Sequence, residues 1–520
     1  MSKMSKAKLF LAVAALVLAM IAGPLSASAQ DVSQDSIKAL QAQINALQKQ
    51  LEDVKKVQAE AAAKPAPAAQ AQQAPATPEE KGVMTIGKTK VTVGGFMEAA
   101  GIWRSKNEVA DVGSSYNTLI PFPVTGSTNT VNPNAHQSEL RGTARQSRIT
   151  VLAEANANDY TKISAYAEAD FLGAAQTANA NESNSYNPRM RVVYGTIDWN
   201  NCGTHVLAGQ EWSLLTTNKV GIIPRQENIP LTIDAQYVVG FNWSRNPQLR
   251  FVQDFCDHKV TLGLSAESPE AIFGGITAPS FVNEANAASG GLLNSANSYT
   301  SDLSPDIIGK AAFDPGYGHY EVFGITRFFH DYVLTGVSGE PTYAARGNNS
   351  ALGWGGGAAT ILPICPEKLE FQANVMAGQG IGRYGSGQLP DIAFEPNGAI
   401  KPLTEFTAMT GVIAHPEKTW DVYLYGGYEG VQRTNYYVGP SLAPDIGYGD
   451  FQIITGQEQT QDVWQIQGGF WKRIYQGPWG KVQIGLSDSV TTRQAFSNSV
   501  GQAQHAVENI VMTSFRFYPL

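Results

Sequence analysis

Lys162-Ile163-Ser164-Ala165-Tyr166-Ala167-Glu168-Ala169-Asp170-Phe171 alternates without a break, with Lys, Ser, Tyr, Glu and Asp at even positions and Ile, Ala, Ala, Ala and Phe at odd ones. Period two is the pattern of a β-strand, whose successive side chains leave opposite faces. About ten residues is the length of a strand that crosses a bilayer at a tilt. A sheet whose outer face meets lipid must satisfy every backbone N–H and C=O within itself, and only a closed barrel does so. The stretch therefore reads as one barrel strand, polar toward the lumen and apolar toward lipid.

The same reading extends in both directions. Val91, Val93, Met97 and Trp103 alternate with Thr92, Gly94 and Glu98 in a first strand. Trp464, Ile466 and Phe470 oppose Gln465 and Gln467; Phe515 and Phe517 oppose Arg516 in the last strand. Tight turns fall at 156–159, 200–203, 256–258, 314–318, 365–368, 415–418 and 476–480, and loops of ten to thirty residues lie between them. Seven short turns require eight hairpin-like pairs, so the expected fold is all-β, a sixteen-stranded antiparallel transmembrane barrel over residues 85–520. The strand-like run Tyr237 to Trp243 would make the count odd. It is assigned to the third long loop, folded inward or over the rim.

Upstream, Lys3, Lys6 and Lys8 precede an apolar run from Leu9 to Ile21 and the small residues Ala27-Ser28-Ala29, which reads as a removable secretory signal over 1–29. Ile37, Leu40, Ile44, Leu47, Leu51 and Val54 recur at spacings of three and four, the seam of a short periplasmic coiled coil over 30–63. An Ala/Pro/Gln-rich linker, 64–84, follows. Charged residues are 16% of the chain, against about 25% in soluble domains. The net charge of −8 argues against a nucleic-acid partner.

Several motifs together resemble the DcaP-like trimeric outer-membrane channels: the signal, coiled coil and linker, then Thr143-Ala144-Arg145-Gln146-Ser147-Arg148, Glu168-Ala169-Asp170-Phe171-Leu172-Gly173, Arg189-Met190-Arg191, Gly209-Gln210-Glu211-Trp212-Ser213 and Arg245-Asn246-Pro247-Gln248-Leu249-Arg250. The resemblance covers most of the mature chain. It implies a homotrimer of sixteen-stranded barrels in the outer membrane that passes small organic anions, such as dicarboxylates, by passive diffusion.

The residues themselves make a case for anions. A guanidinium facing lipid near the midplane costs roughly 2–4 kcal/mol, so Arg145, Arg148, Arg189, Arg191, Arg245 and Arg250 should face the lumen or the rim as a positive ladder. Bidentate contacts would let carboxylate solutes exchange hydration along it. The competing reading pairs each arginine with a wall carboxylate, for which Glu154, Glu168, Asp170 and Glu211 are at hand. Arg225, Glu227 and Asp234 on the inward loop are the expected constriction. Cys202, Cys256 and Cys365 fall in turns of an oxidising compartment, and Cys202 with Cys256 is the candidate disulfide. Trp199, Trp212, Trp420, Trp471 and Trp479 read as interfacial girdles. No nucleophile elbow, zinc-protease helix or phosphate-binding loop is present, so neither an enzyme nor a cofactor or metal is expected. The alternative is a structural protein whose coiled coil and linker tether the outer membrane to peptidoglycan, with only a nonspecific pore.

Overall fold

The computed structural model describes residues 82–125, 130–173, 187–275, 282–283, 302–334, 347–436, 446–449, 459–497 and 504–519. The signal, the coiled coil and nearly all of the linker lie outside them. The linker boundary moves slightly: Val83–Ile86 already pairs antiparallel with Thr89 to Thr92. Gly87 makes this reversal at φ +67, which a glycine adopts without steric cost.

Sixteen wall strands follow. They are β1 (Thr89–Arg104), β2 (Glu139–Thr143 continued by Arg148–Asn156), β3 (Thr161–Gly173), β4 (Asn187–Trp199), β5 (Thr204–Trp212), β6 (Arg245–Phe255), β7 (Val260–Glu267) and β8 (Asp306–Phe313). The second half comprises β9 (His319–Val333), β10 (Gly347–Cys365), β11 (Leu369–Gln379), β12 (Thr404–Ala414), β13 (Trp420–Val431), β14 (Thr460–Gly477), β15 (Gly480–Ala495) and β16 (His505–Tyr518). Each pairs antiparallel with the next, and β16 returns to β1 from Met97↔Phe517 to Arg104↔Ile510, so the barrel closes. All seven expected turns connect strands at one end. The long connections lie at the other; those used below are L1 (105–138), L3 (213–244) and L6 (380–403).

Burial runs opposite to that of a water-soluble domain. Ile163, Leu249, Leu264, Leu424 and Ile466 are exposed on the outer wall, while Asp170, Arg191, Lys310, Glu321, Arg327, Glu429 and Glu508 are buried within. The lumen is filled by its own loops. L3 descends to the short-turn end, where the Gly221 N–H donates to Asp314 Oδ2 at 2.9 Å. It then crosses to the far wall: the Val239 N–H donates to Gln465, and Asn374 Nδ2 donates to the Gly240 carbonyl at 2.8 Å. Tyr237 to Trp243 is thus loop, as the strand parity requires. The Glu429 carboxylate ties L3 to L6 by accepting from the Gly240 and Gly387 N–H groups.

Two sequence expectations fail here. Trp212 and Trp471 are not girdle residues. Both are buried inside, Trp212 in tilted ring contact with Tyr237 and Trp243, and Trp471 donating Nε1–H to the Leu231 carbonyl at 2.7 Å. The Cys202–Cys256 disulfide is absent: Cys202, Cys256 and Cys365 are all free and exposed. The β5–β6 register, which ends at Thr204↔Gln253, sets Cys202 level with Phe255, so Cys256 is out of step with it.

Candidate functional site

Arginines from β2, β4 and β6 converge on the inner wall above L3. The β3–β4 ladder pairs Asp170 with Arg189 and Ala169 with Met190, then slips so that Glu168 pairs with Val192. The extra residue is Arg191. This bulge lets Arg191 and Val192 both turn inward, where each is buried, while Met190 and Val193 face out.

The carboxylates of β3 are divided among these cations. Asp170 takes Arg189 through two bonds, Nε at 3.0 Å and Nη2 at 2.7 Å, and Arg191 Nη1 at 3.0 Å. Glu168 takes Arg191 Nε and stands 3.4 Å from Arg148 Nη1. Arg245 is different. Its guanidinium lies 4.8 Å from the Trp212 ring centroid and 4.9 Å from that of Trp243, and its buried Nη1 has no hydrogen-bond partner. Three guanidiniums thus share two carboxylates, and the fourth, Arg245, has neither. Tyr237 joins them from L3, with φ +69 and its hydroxyl accepting from Arg191 Nη2 at 3.3 Å. A cavity of about 140 Å3 opens between this wall and L3, lined by Arg148, Arg191, Arg516, Gln146, Thr232 and Tyr237.

The remaining site candidates disperse. Arg145 belongs to no ladder: it sits in the 144–147 break of β2 and clamps the loop ends, donating to the Phe171 and Gly173 carbonyls and to Asp111. The same break sends Gln146 Nε2 to the Ile233 carbonyl of L3. Arg250 and Arg225 line a lower cavity of about 250 Å3 with Lys162, His205 and His258. Arg225 donates to the Tyr194 hydroxyl at 3.2 Å. Glu227 and Asp234 are buried in L3 rather than presented to solvent, and burial pushes both carboxyls up from the ordinary range. Asp234 accepts the Ser114 N–H at 3.1 Å, which fastens L3 to L1.

Sequence reading missed three participants. Arg516 on β16 bonds Glu98 at 2.9 Å and lies over the Phe96 and Trp471 rings. Its inward face was readable from Phe515 and Phe517, but its proximity to Arg148 needed barrel closure. Tyr237 and Trp243 carried no signal beyond their place in the loop.

No family model and no curated protein sequence matches the chain. Among solved structures, the outer membrane channel DcaP of Acinetobacter baumannii aligns with a TM-score of 0.56 at 15% identity, covering 83% of this chain and 99% of that one. The anion-selective porin from Comamonas acidovorans aligns at 0.43 with 10% identity, over 83% and 99% of the two chains. The trimer form of OmpT from Vibrio cholerae aligns at 0.43 with 9% identity, over the same shares. These last two are too distant to argue from. By its closed sixteen-stranded barrel and the first of these alignments, the chain has the fold of the DcaP outer membrane channel.

Proposed function

We propose that the protein is an outer-membrane diffusion channel that favours small organic anions, dicarboxylates among them. Arg245 carries this reading. Its guanidinium has no carboxylate partner among the described residues and stands among Arg148, Arg189 and Arg191, so this wall carries an excess of positive charge that attracts an anionic solute. Arg148 lines the cavity on the same wall and adds to that charge. The two tryptophans hold the Arg245 cation at roughly 0.5–2 kcal/mol per ring without neutralising it. Glu168 and Asp170 set the positions of Arg189 and Arg191 and leave the cluster net positive, so the ladder and pairing readings describe one device. The inside-out wall supports residence in the outer membrane. A homotrimer is part of the proposal, in line with the family resemblance; the coiled coil that would join its copies, and the peptidoglycan tether of the alternative reading, rest on residues outside those described.

Swelling of liposomes containing the full-length protein tests this. Dicarboxylates should enter faster than neutral solutes of equal size, and diamines slowest. Arg245→Gln should narrow the dicarboxylate advantage several-fold without slowing the neutral solute. Equal rates for all three solutes in the wild type would refute the proposal.

A further inference from the structure

L1 meets the wall through two carboxyls, of which Glu108 accepts one N–H, that of Ser115 on Oε2 at 3.4 Å. Glu508 of β16 is 0% exposed and Glu108 of L1 is 2% exposed. The start of L1 is fastened beside β16, where the Ser105 N–H donates to the Asn509 carbonyl at 2.9 Å and the Asn509 N–H to Ser105 Oγ at 2.8 Å, and the two carboxyls meet next to that seam. Both Glu508 oxygens and Oε1 of Glu108 lack a donor.

The surrounding charges do not resolve the pair. Arg104 of β1 stands 3.7 Å from Glu108, but its two Nη atoms are committed to Glu139, the Ala110 and Asp111 carbonyls and Ser114 Oγ. Glu139 of β2 is itself shared with Arg141 at 3.0 Å. Lys106 turns its ammonium to the Ala135 carbonyl. Asp234 of L3 and Tyr116 of L1 also stand near Arg104 and Glu108. Two neighbouring buried carboxylates cannot both ionise without strong repulsion, and a proton held between them supplies a donor to the oxygens that lack one.

We propose that Glu108 and Glu508 share one proton and form a latch that holds L1, and through it L3, inside the barrel. The mechanical path is short. Arg104 grips Ser114, and the Ser114 N–H holds Asp234 of L3. Asp111 on the same stretch of L1 pairs with Arg145 at 3.1 Å. The shared proton favours the docked state, so the latch is complete at low and neutral pH and is lost as rising pH removes that proton. Repulsion then frees L1, and L3 loses its Ser114 support. The shared proton stands independently of the channel reading; only its effect on closures rests on that reading.

Infrared difference spectra of the full-length protein in detergent, wild type against Glu508→Gln at neutral pH, test the proton directly. The wild type should show the carbonyl stretch of a protonated carboxyl that the variant lacks. In planar bilayers the wild type's closure frequency should rise about tenfold per pH unit once the pair begins to ionise. Glu508→Gln, which carries a permanent donor, should keep its neutral-pH frequency throughout. Glu108→Gln places the donor on the other partner and should repeat both results, which separates the proposal from a folding defect of one variant. No difference band overturns the shared proton; a band with pH-independent wild-type closures overturns the latch. A protein that conducts nothing sinks the channel reading, and the spectra still decide the proton.

Discussion

Arg191 and Arg245 both lie over the Trp212 ring, 5.8 and 4.8 Å from its centroid, and should respond oppositely to loss of charge. Arg191 is held by Glu168, Asp170 and Tyr237, so Arg191→Gln strands buried carboxylates. That change should destabilise the barrel by about 3–5 kcal/mol, read as a lower urea midpoint. Arg245 has no carboxylate partner among the described residues, and Arg245→Gln should destabilise it by less than about 2 kcal/mol while reducing anion preference. Equal destabilisation by the two would contradict the division between positioning and solute-facing arginines. The spacing of Arg189 and Arg191 put both on one face in the sequence, and both reach Asp170. The bulge that adds Val192 to the inner face was not legible, because register slips depend on the neighbouring strand. Arg145 was misjudged for a related reason: its strand breaks where the chain turns to bind loop carbonyls.

L3 is the element that converts a wide barrel into a narrow one. Gly240 lies at its far end with φ +83, and a Cβ there would fall 2.0 Å from the Ala408 carbonyl oxygen. Gly240→Ala should therefore detach the loop from β12 and β13, raising single-channel conductance and weakening selectivity; unchanged conductance would show that the loop does not set the pore. That Tyr237 to Trp243 is loop followed from strand parity. Its docking did not follow, since the Gln465, Asn374 and Glu429 contacts join segments more than a hundred residues apart. The cysteine pair failed at the same scale. Neighbouring turns were recognised, but a one-residue offset in register is invisible without the ladder.

The whole molecule was the most legible part, because lipid outside and water inside impose one period on every strand and one connection length at each end. Ile163 and Ser164 test this cheaply. Ile163→Arg places a charge in lipid and should cost roughly 2–4 kcal/mol in barrel stability, whereas Ser164→Arg faces the lumen and its cavity. A heat-dependent gel shift reads the difference; equal sensitivity would mean the faces are misassigned.

The charge of the solute pathway is tested most directly by the zero-current potential of the full-length protein in a planar bilayer under a tenfold potassium chloride gradient. The account predicts a sign set by chloride crossing faster than potassium, with a smaller magnitude in Arg245→Gln. A potential of the opposite sign, or one that Arg245→Gln leaves untouched, would contradict it.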